Sequence, residues 1–328
     1  ILVNGMHLAA ATSGGVKLAA ANTVNLMNDD QSGSFARTIT APGNIDITAT
    51  AGSITKSPDD VMNLSGANVT LTAGSSITPF GNIAATVGNV LVNAGTTLDT
   101  SGFTVTAPIN VTLNAPGAIN TSSVTTTNGV INVTSSGASA NVGVLSAGSN
   151  VAVNAVSGIT TNTITSGTAG NGLITLTNTG ATSDITLAGG VGALIQATNT
   201  GLLATQPAIN ITSGRDILVS GMNLAAVTSG GVKLTAANTV NLMNQDQGGG
   251  SFPRAINAPG NIDITATAGL ITKSPDDVMN LSGANVTLKA GTSITPFGNI
   301  TATAGDVALT ITSGGTALNT SGFGVLAS

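Results

Sequence analysis

The chain of 328 residues contains no cysteine, tryptophan, tyrosine or glutamate, one histidine and six phenylalanines. Zero cysteine excludes disulfides and thiolate metal sites, though it fixes no redox compartment. Scarce aromatics remove the bulky anchors of a wide globular core, so the expected interior is narrow and filled by Val, Ile, Leu and Ala. Charge is thin as well: 13 aspartates against eight Lys plus Arg give a net −5, and no basic cluster is present to follow a phosphate backbone. No nucleic-acid partner is expected. No run of about 18 apolar residues occurs, so no membrane span is expected either, and no basic, apolar, small-residue leader opens the chain.

What is abundant is Gly, 43 residues of it, with Thr, Asn, Ser, Ala and the β-branched Val and Ile, a mixture suited to strands and tight turns. The stretch 43–83, GNIDITATAGSITKSPDDVMNLSGANVTLTAGSSITPFGNI, returns at 260–300 with three changes: Ser53 to Leu270, Thr72 to Lys289 and Ser75 to Thr292. Around it, 1–103 matches 217–323, so the chain holds about one and a half copies of a large repeat. Ile1 corresponds to the interior residue Ile217, which leads us to expect a segment of something longer.

Inside each copy runs a finer beat. Short alternating runs that open on Val or Ile begin at Ile45, Val69, Val90, Val111, Ile131, Val151 and Ile174, at steps of about 20–24 residues. No sustained 3.6-residue apolar period accompanies them. The expected fold is therefore all-β, a single-stranded parallel β-helix (β-solenoid) of about 14 coils of roughly 20–24 residues, continuous over 1–328 as one domain. At a strand spacing of about 4.8 Å this predicts a rod on the order of 70 Å long.

A strand residue between two buried neighbours must face outward. Lys17, Asp46, Lys233 and Asp263 all occupy that middle position, and Thr72, which becomes Lys289, faces the same way. Asn recurs after corner glycines, as at Asn44, Asn82, Asn89 and Asn299. Two roles are expected of it: tolerance of the left-handed backbone and stacking of its amide on the Asn of the next coil.

The units GNIDITATAGSIT at 43–55 and GANVTLTAGSSIT at 66–78 resemble the repeats of filamentous haemagglutinin-like adhesins of the two-partner secretion type. That resemblance implies a right-handed β-helical shaft, an outer-membrane export partner, and display at or release from the bacterial surface. The Asn-Pro-Asn motifs of that family's secretion module are absent from this chain, so export is implied by the resemblance alone.

The densest polar run, Lys56-Ser57-Pro58-Asp59-Asp60, repeated at Lys273 to Asp277, reads better as a corner than as a calcium or catalytic site, since Pro fixes φ and Asp bonds its own backbone. His7 is replaced by Asn223 in the second copy, and Ser and Thr lack a partnered base, so no catalytic residue, cofactor or metal ligand is assigned. The length-variable segments 28–38 and 244–255 are expected to project as loops. They carry Asp29, Asp30, Phe35 and Arg37 in one copy and Asp246, Phe252 and Arg254 in the other, the candidate adhesion residues. Outward Thr rows suggest an ice-binding lattice, but Asp46 and Lys289 interrupt them. The sequons at Asn68 and Asn285 arise from composition, and no glycan is assigned.

The expected function is the structural shaft of a large secreted or surface-displayed bacterial adhesin or fibre, not an enzyme. Its partners would be neighbouring repeats of a longer chain or identical subunits end to end, with a host or cell-surface receptor or glycan at its loops. One alternative is a self-assembling extracellular filament subunit, because neither terminus shows a polar cap. Another is a polysaccharide-active β-helix enzyme, for which one His and no Glu are poor equipment.

Overall fold

The computed structural model describes all residues except 4–5, 27–35, 57–60, 190–191, 243–252, 274–277, 296, 313 and 315–316. The described residues form strands, bridges and turns with no helix. They fall into two compact units, Ile1–Gly148 and Ser149–Ser328. Each is a parallel β-solenoid, and the fold amounts to about 12 turns. The count falls below the sequence expectation because inserts lengthen some coils. Val16 and Ile45 are neighbours on adjacent rungs, as are Ile174 and Ile209, although each pair lies further apart in the chain than the usual step.

In the first unit, six strands stack in parallel as one flat side: Val16–Ala20, Ile45–Ala49, Val69–Ala73, Val90–Ala94, Val111–Ala115 and Ile131–Ser135. Their register is continuous, with Val16 on Ile45, Ile45 on Val69, Val69 on Val90, Val90 on Val111 and Val111 on Ile131. Burial alternates along each full rung, so Ile45, Ile47 and Ala49 point inward while Asp46 and Thr48 do not. The third inward position is small, Ala49, Ala73, Ala94 and Ala115, because the chain turns there and neighbouring corners crowd the interior.

Short second and third sides complete each coil. Val24–Asn25 pairs with Ile54–Thr55, and Ala36–Thr40 pairs with Val61–Gly66. Further along they merge into bent strands, Leu98–Ala107 on Ile119–Thr126, whose register slips between Thr100 and Thr104 where the chain rounds the edge. Phe80, 1% exposed, is the bulkiest side chain inside.

The second unit repeats this plan with seven described strands on its flat side: Val151–Ala155, Ile174–Asn178, Pro207–Ser213, Gly231–Ala236, Ile262–Ala266, Val286–Ala290 and Val307–Ile311. Ile174, Ile209, Val232, Ile262 and Val286 stand over one another, as do Leu176, Ile211, Leu234, Ile264 and Leu288. Each buried aliphatic contributes roughly 1.5–3 kcal/mol, so columns of them hold a thin core together without cross-links. Phe297, 2% exposed, takes the place that Phe80 has in the first copy.

The corners depart from expectation in one respect. Among the described residues the one non-glycine with positive φ is Thr228, at 77°, so Asn44, Asn82, Asn89 and Asn299 are not left-handed. Nor do their preceding glycines have positive φ. Glycine is required there by close approach: a Cβ on Gly81 would overlap the carbonyl of Met62, and one on Gly298 that of Met279. Amide stacking is present. Asn68 Nδ2 donates to Asn44 Oδ1 at 3.0 Å, and Asn285 Nδ2 to Asn261 Oδ1 at 3.0 Å.

Candidate functional site

The corner asparagines cap the coil that follows. Asn68 Oδ1 accepts the N–H of Asn89 at 2.7 Å, Asn89 Oδ1 that of Asn110 at 3.1 Å, and Asn110 Oδ1 that of Val130 at 3.0 Å. A second column runs through Asn63, Asn82 and Thr104, and through Asn280, Asn299 and Gly324 in the second copy. A turning chain leaves amides without a strand partner, and a short side chain with an acceptor on the neighbouring coil satisfies them. His7 belongs to this set. Its Nδ1 accepts the N–H of Thr38 at 3.2 Å, where in the second copy Asn223 Oδ1 accepts that of Ala255 at 2.8 Å. The single histidine therefore does the work of an asparagine.

Of the seven candidate adhesion residues, Asp29, Asp30, Phe35, Asp246 and Phe252 lie outside the described residues. Arg37 is half-buried in the strand Ala36–Thr40, in register with Met62. Arg254 opens the strand Arg254–Asn257, is 8% exposed, and donates from Nε to Gly221 O at 2.8 Å. Both arginines thus sit in strands and not on projecting loop tips, because the chain has to be extended there to pair with the strand of the following coil. Asp59, Asp60, Asp276 and Asp277 also lie outside the described residues.

The densest charged cluster among the described residues was not singled out from sequence. Arg215 Nε lies 3.1 Å from Asp184 Oδ1 and 3.2 Å from Asp216 Oδ2, while its Nη1 donates to Thr182 O at 2.8 Å. Asp216 Oδ1 accepts the N–H of Thr239 at 2.8 Å and Asn238 Nδ2 at 2.9 Å. Burial pushes the Asp184 carboxyl above its ordinary value, against the pull of the Arg215 guanidinium; the Asp216 charge adds to the rise. Asp216 holds a corner and Arg215 bridges coils, so the arrangement is a clasp between coils. Its sequence signal was the Arg-Asp pair before Ile217, but Asp184 lies a coil away and only stacking brings it in.

Among the described residues no group of three His, Cys, Asp or Glu side chains could hold a metal. A cavity of about 10 Å³ lined by Ile294, Phe297, Ile300, Phe323 and Val325 has room for about one water. Outward positions of the flat side carry Thr48, Thr72, Asn93, Asn114 and Thr134 in one column, with Asn114 Nδ2 donating to Asn93 Oδ1 at 2.9 Å.

Parallel coils, an inward aliphatic stack and corner asparagines define the class: a repeat protein of the parallel β-solenoid type. A comparison with protein-family models finds no match, nor do comparisons with curated proteins and with solved structures.

Proposed function

We propose that the chain is the structural shaft of a large secreted or surface-displayed bacterial adhesin or fibre, a stiff spacer that carries other binding parts away from the cell. One observation supports this most. The stretches 43–83 and 260–300 differ only at Ser53/Leu270, Thr72/Lys289 and Ser75/Thr292, none of which is buried, while the inward residues of their described strands are kept. What the duplication preserves is a scaffold. The resemblance to filamentous haemagglutinin-like repeats supports the same reading and brings with it an outer-membrane export partner and contact with a host receptor or glycan at the loops.

The test is replacement in the full-length protein displayed on cells. Exchanging this segment for an unrelated β-solenoid of equal turn number should leave adhesion intact, and removing four turns should reduce it. Loss of adhesion on the equal-length exchange would place the binding determinants in this segment and end the spacer reading. Turnover of a polysaccharide by the purified chain would favour an enzyme instead.

A further inference from the structure

The chain contains the pairs Asn4-Gly5, Asn128-Gly129 and Asn171-Gly172, of which the first lies outside the described residues. In an Asn-Gly pair the side-chain amide is open to attack by the next peptide nitrogen, because glycine puts no Cβ beside that nitrogen. In both described pairs the asparagine is exposed and the glycine is buried. Their hydrogen bonds are what differ.

At position 171 both reacting groups are tied down. Asn171 Oδ1 accepts the N–H of Thr200 at 2.9 Å and the Thr200 hydroxyl at 2.8 Å, while Gly172 N–H donates to Thr198 O at 2.9 Å. At position 128 the corner is held only on either side of the reacting atoms. Asn128 N–H donates to Pro108 O at 2.9 Å, Val130 N–H donates to Asn110 Oδ1 at 3.0 Å, and Gly129 O accepts the Thr126 hydroxyl at 2.8 Å. Between them, the Gly129 N–H and the Asn128 side-chain amide have no hydrogen-bond partner among the described residues.

We propose that Asn128 is a site of spontaneous covalent modification, converted by water to an aspartyl or isoaspartyl residue while Asn171 persists. The Gly129 nitrogen gives up its proton and attacks Asn128 Cγ. A new N–C bond forms, the Cγ–Nδ2 bond breaks, and ammonia leaves with that proton, closing a five-membered imide. Water then opens the ring, so one water enters, one ammonia departs, and nothing is oxidised or reduced. Opening at the main-chain carbonyl gives the isoaspartyl product, whose main chain is one atom longer. The corner has no room for it: a Cβ on Gly129 would overlap the Ile109 carbonyl, and one on Gly148 would overlap the Thr127 carbonyl and Asn128 Cα. The isoaspartyl product therefore pushes the segment of Gly148 away, and either product adds a negative charge to an exposed corner. The modification records the age of the chain, and it does not depend on the shaft reading or on any adhesive role.

The test incubates the full chain under mildly alkaline conditions and follows the Asn-Gly pairs by peptide mapping, with electron-transfer fragmentation to separate isoaspartyl from aspartyl products. Position 128 should convert at least about tenfold faster than position 171, where three hydrogen bonds have to break before the ring can close. In urea, which removes those bonds, the two rates should converge. Asn128→Gln places the side-chain carbonyl one carbon too far for the five-membered ring, and should leave position 128 unmodified. Converted chains should show faster hydrogen exchange at the Gly148 amide, which donates to Thr126 O at 3.0 Å. The proposal fails if position 171 converts as fast as position 128 in the folded chain, if position 128 converts only in urea, or if the Gln variant gains charge at position 128 as the parent does.

Discussion

Asn44 and Asn68 sit one coil apart and are joined side chain to side chain, Nδ2 of the second donating to Oδ1 of the first at 3.0 Å, while Asn68 Oδ1 takes the Asn89 amide at 2.7 Å. One side chain thus ties three consecutive coils. Asn68→Ala should cost about 1 kcal/mol for each bond lost. Exchange of the Asn89 amide should speed up while amides several coils away are unaffected. Asn68→Asp keeps the acceptor and loses the donor, so it should protect Asn89 and disturb Asn44.

Inward and outward residues of one rung should respond differently. Ile47→Ala removes a fully buried side chain stacked on Leu71, and should destabilise by about 2–5 kcal/mol in thermal or urea unfolding. Thr72→Lys introduces the residue that Lys289 already supplies in the second copy, and should fall within about 0.5 kcal/mol of the parent. Equal effects from the two would contradict the register.

The Asp184 carboxyl gives a pH signature with a definite sign. Burial raises its folded value above the ordinary 3.8, so the folded state binds the proton more tightly than the unfolded one. The stability it contributes is greatest with the group protonated, and it falls as pH rises from 3.8 through the raised value. The advantage of the parent over Asp184→Asn should therefore shrink as pH increases across that window, measured as the difference in Tm. A difference that grew instead would mean that the Arg215 ion pair outweighs desolvation.

Gly81→Ala should be among the costliest small substitutions. Its added methyl would meet the Met62 carbonyl, a backbone atom fixed by the next coil, so the corner has to open. A loss of about 1–3 kcal/mol is expected, with new proteolytic cleavage near the corner, and Gly298→Ala should behave alike.

Much of this architecture was legible in the residues. Alternation at Ile45-Asp46-Ile47 and the recurring step between such runs determined which side chains face in, and Ile45, Val69 and Val90 do stand on adjacent rungs. Lys17, Lys233 and Lys289 are exposed as their middle positions require. What was hidden depends on adjacency between coils. The corner asparagines looked like left-handed residues because an Asn beside Gly carries that meaning locally; their actual partners are amides one coil further on. Arg254 looked like a loop tip because the segment before it changes length, whereas the strand it opens is set by Met279 of the next coil. Of the Arg215 cluster only the adjacent pair Arg215-Asp216 was visible, for the same reason: Asp184 is distant in sequence and is brought near only by winding.

The path from Val232 to Ile262 is longer by a single residue than the path from Val16 to Ile45, yet each pair is stacked in the same register. The extra residue falls between Leu242 and Arg254, outside the described residues, and leaves the register of the flat side unchanged. Length in that segment is thereby uncoupled from alignment of the coils. Such a protein can gain or lose residues there with no compensating change in its aliphatic columns, which makes that segment the natural place to graft a foreign epitope.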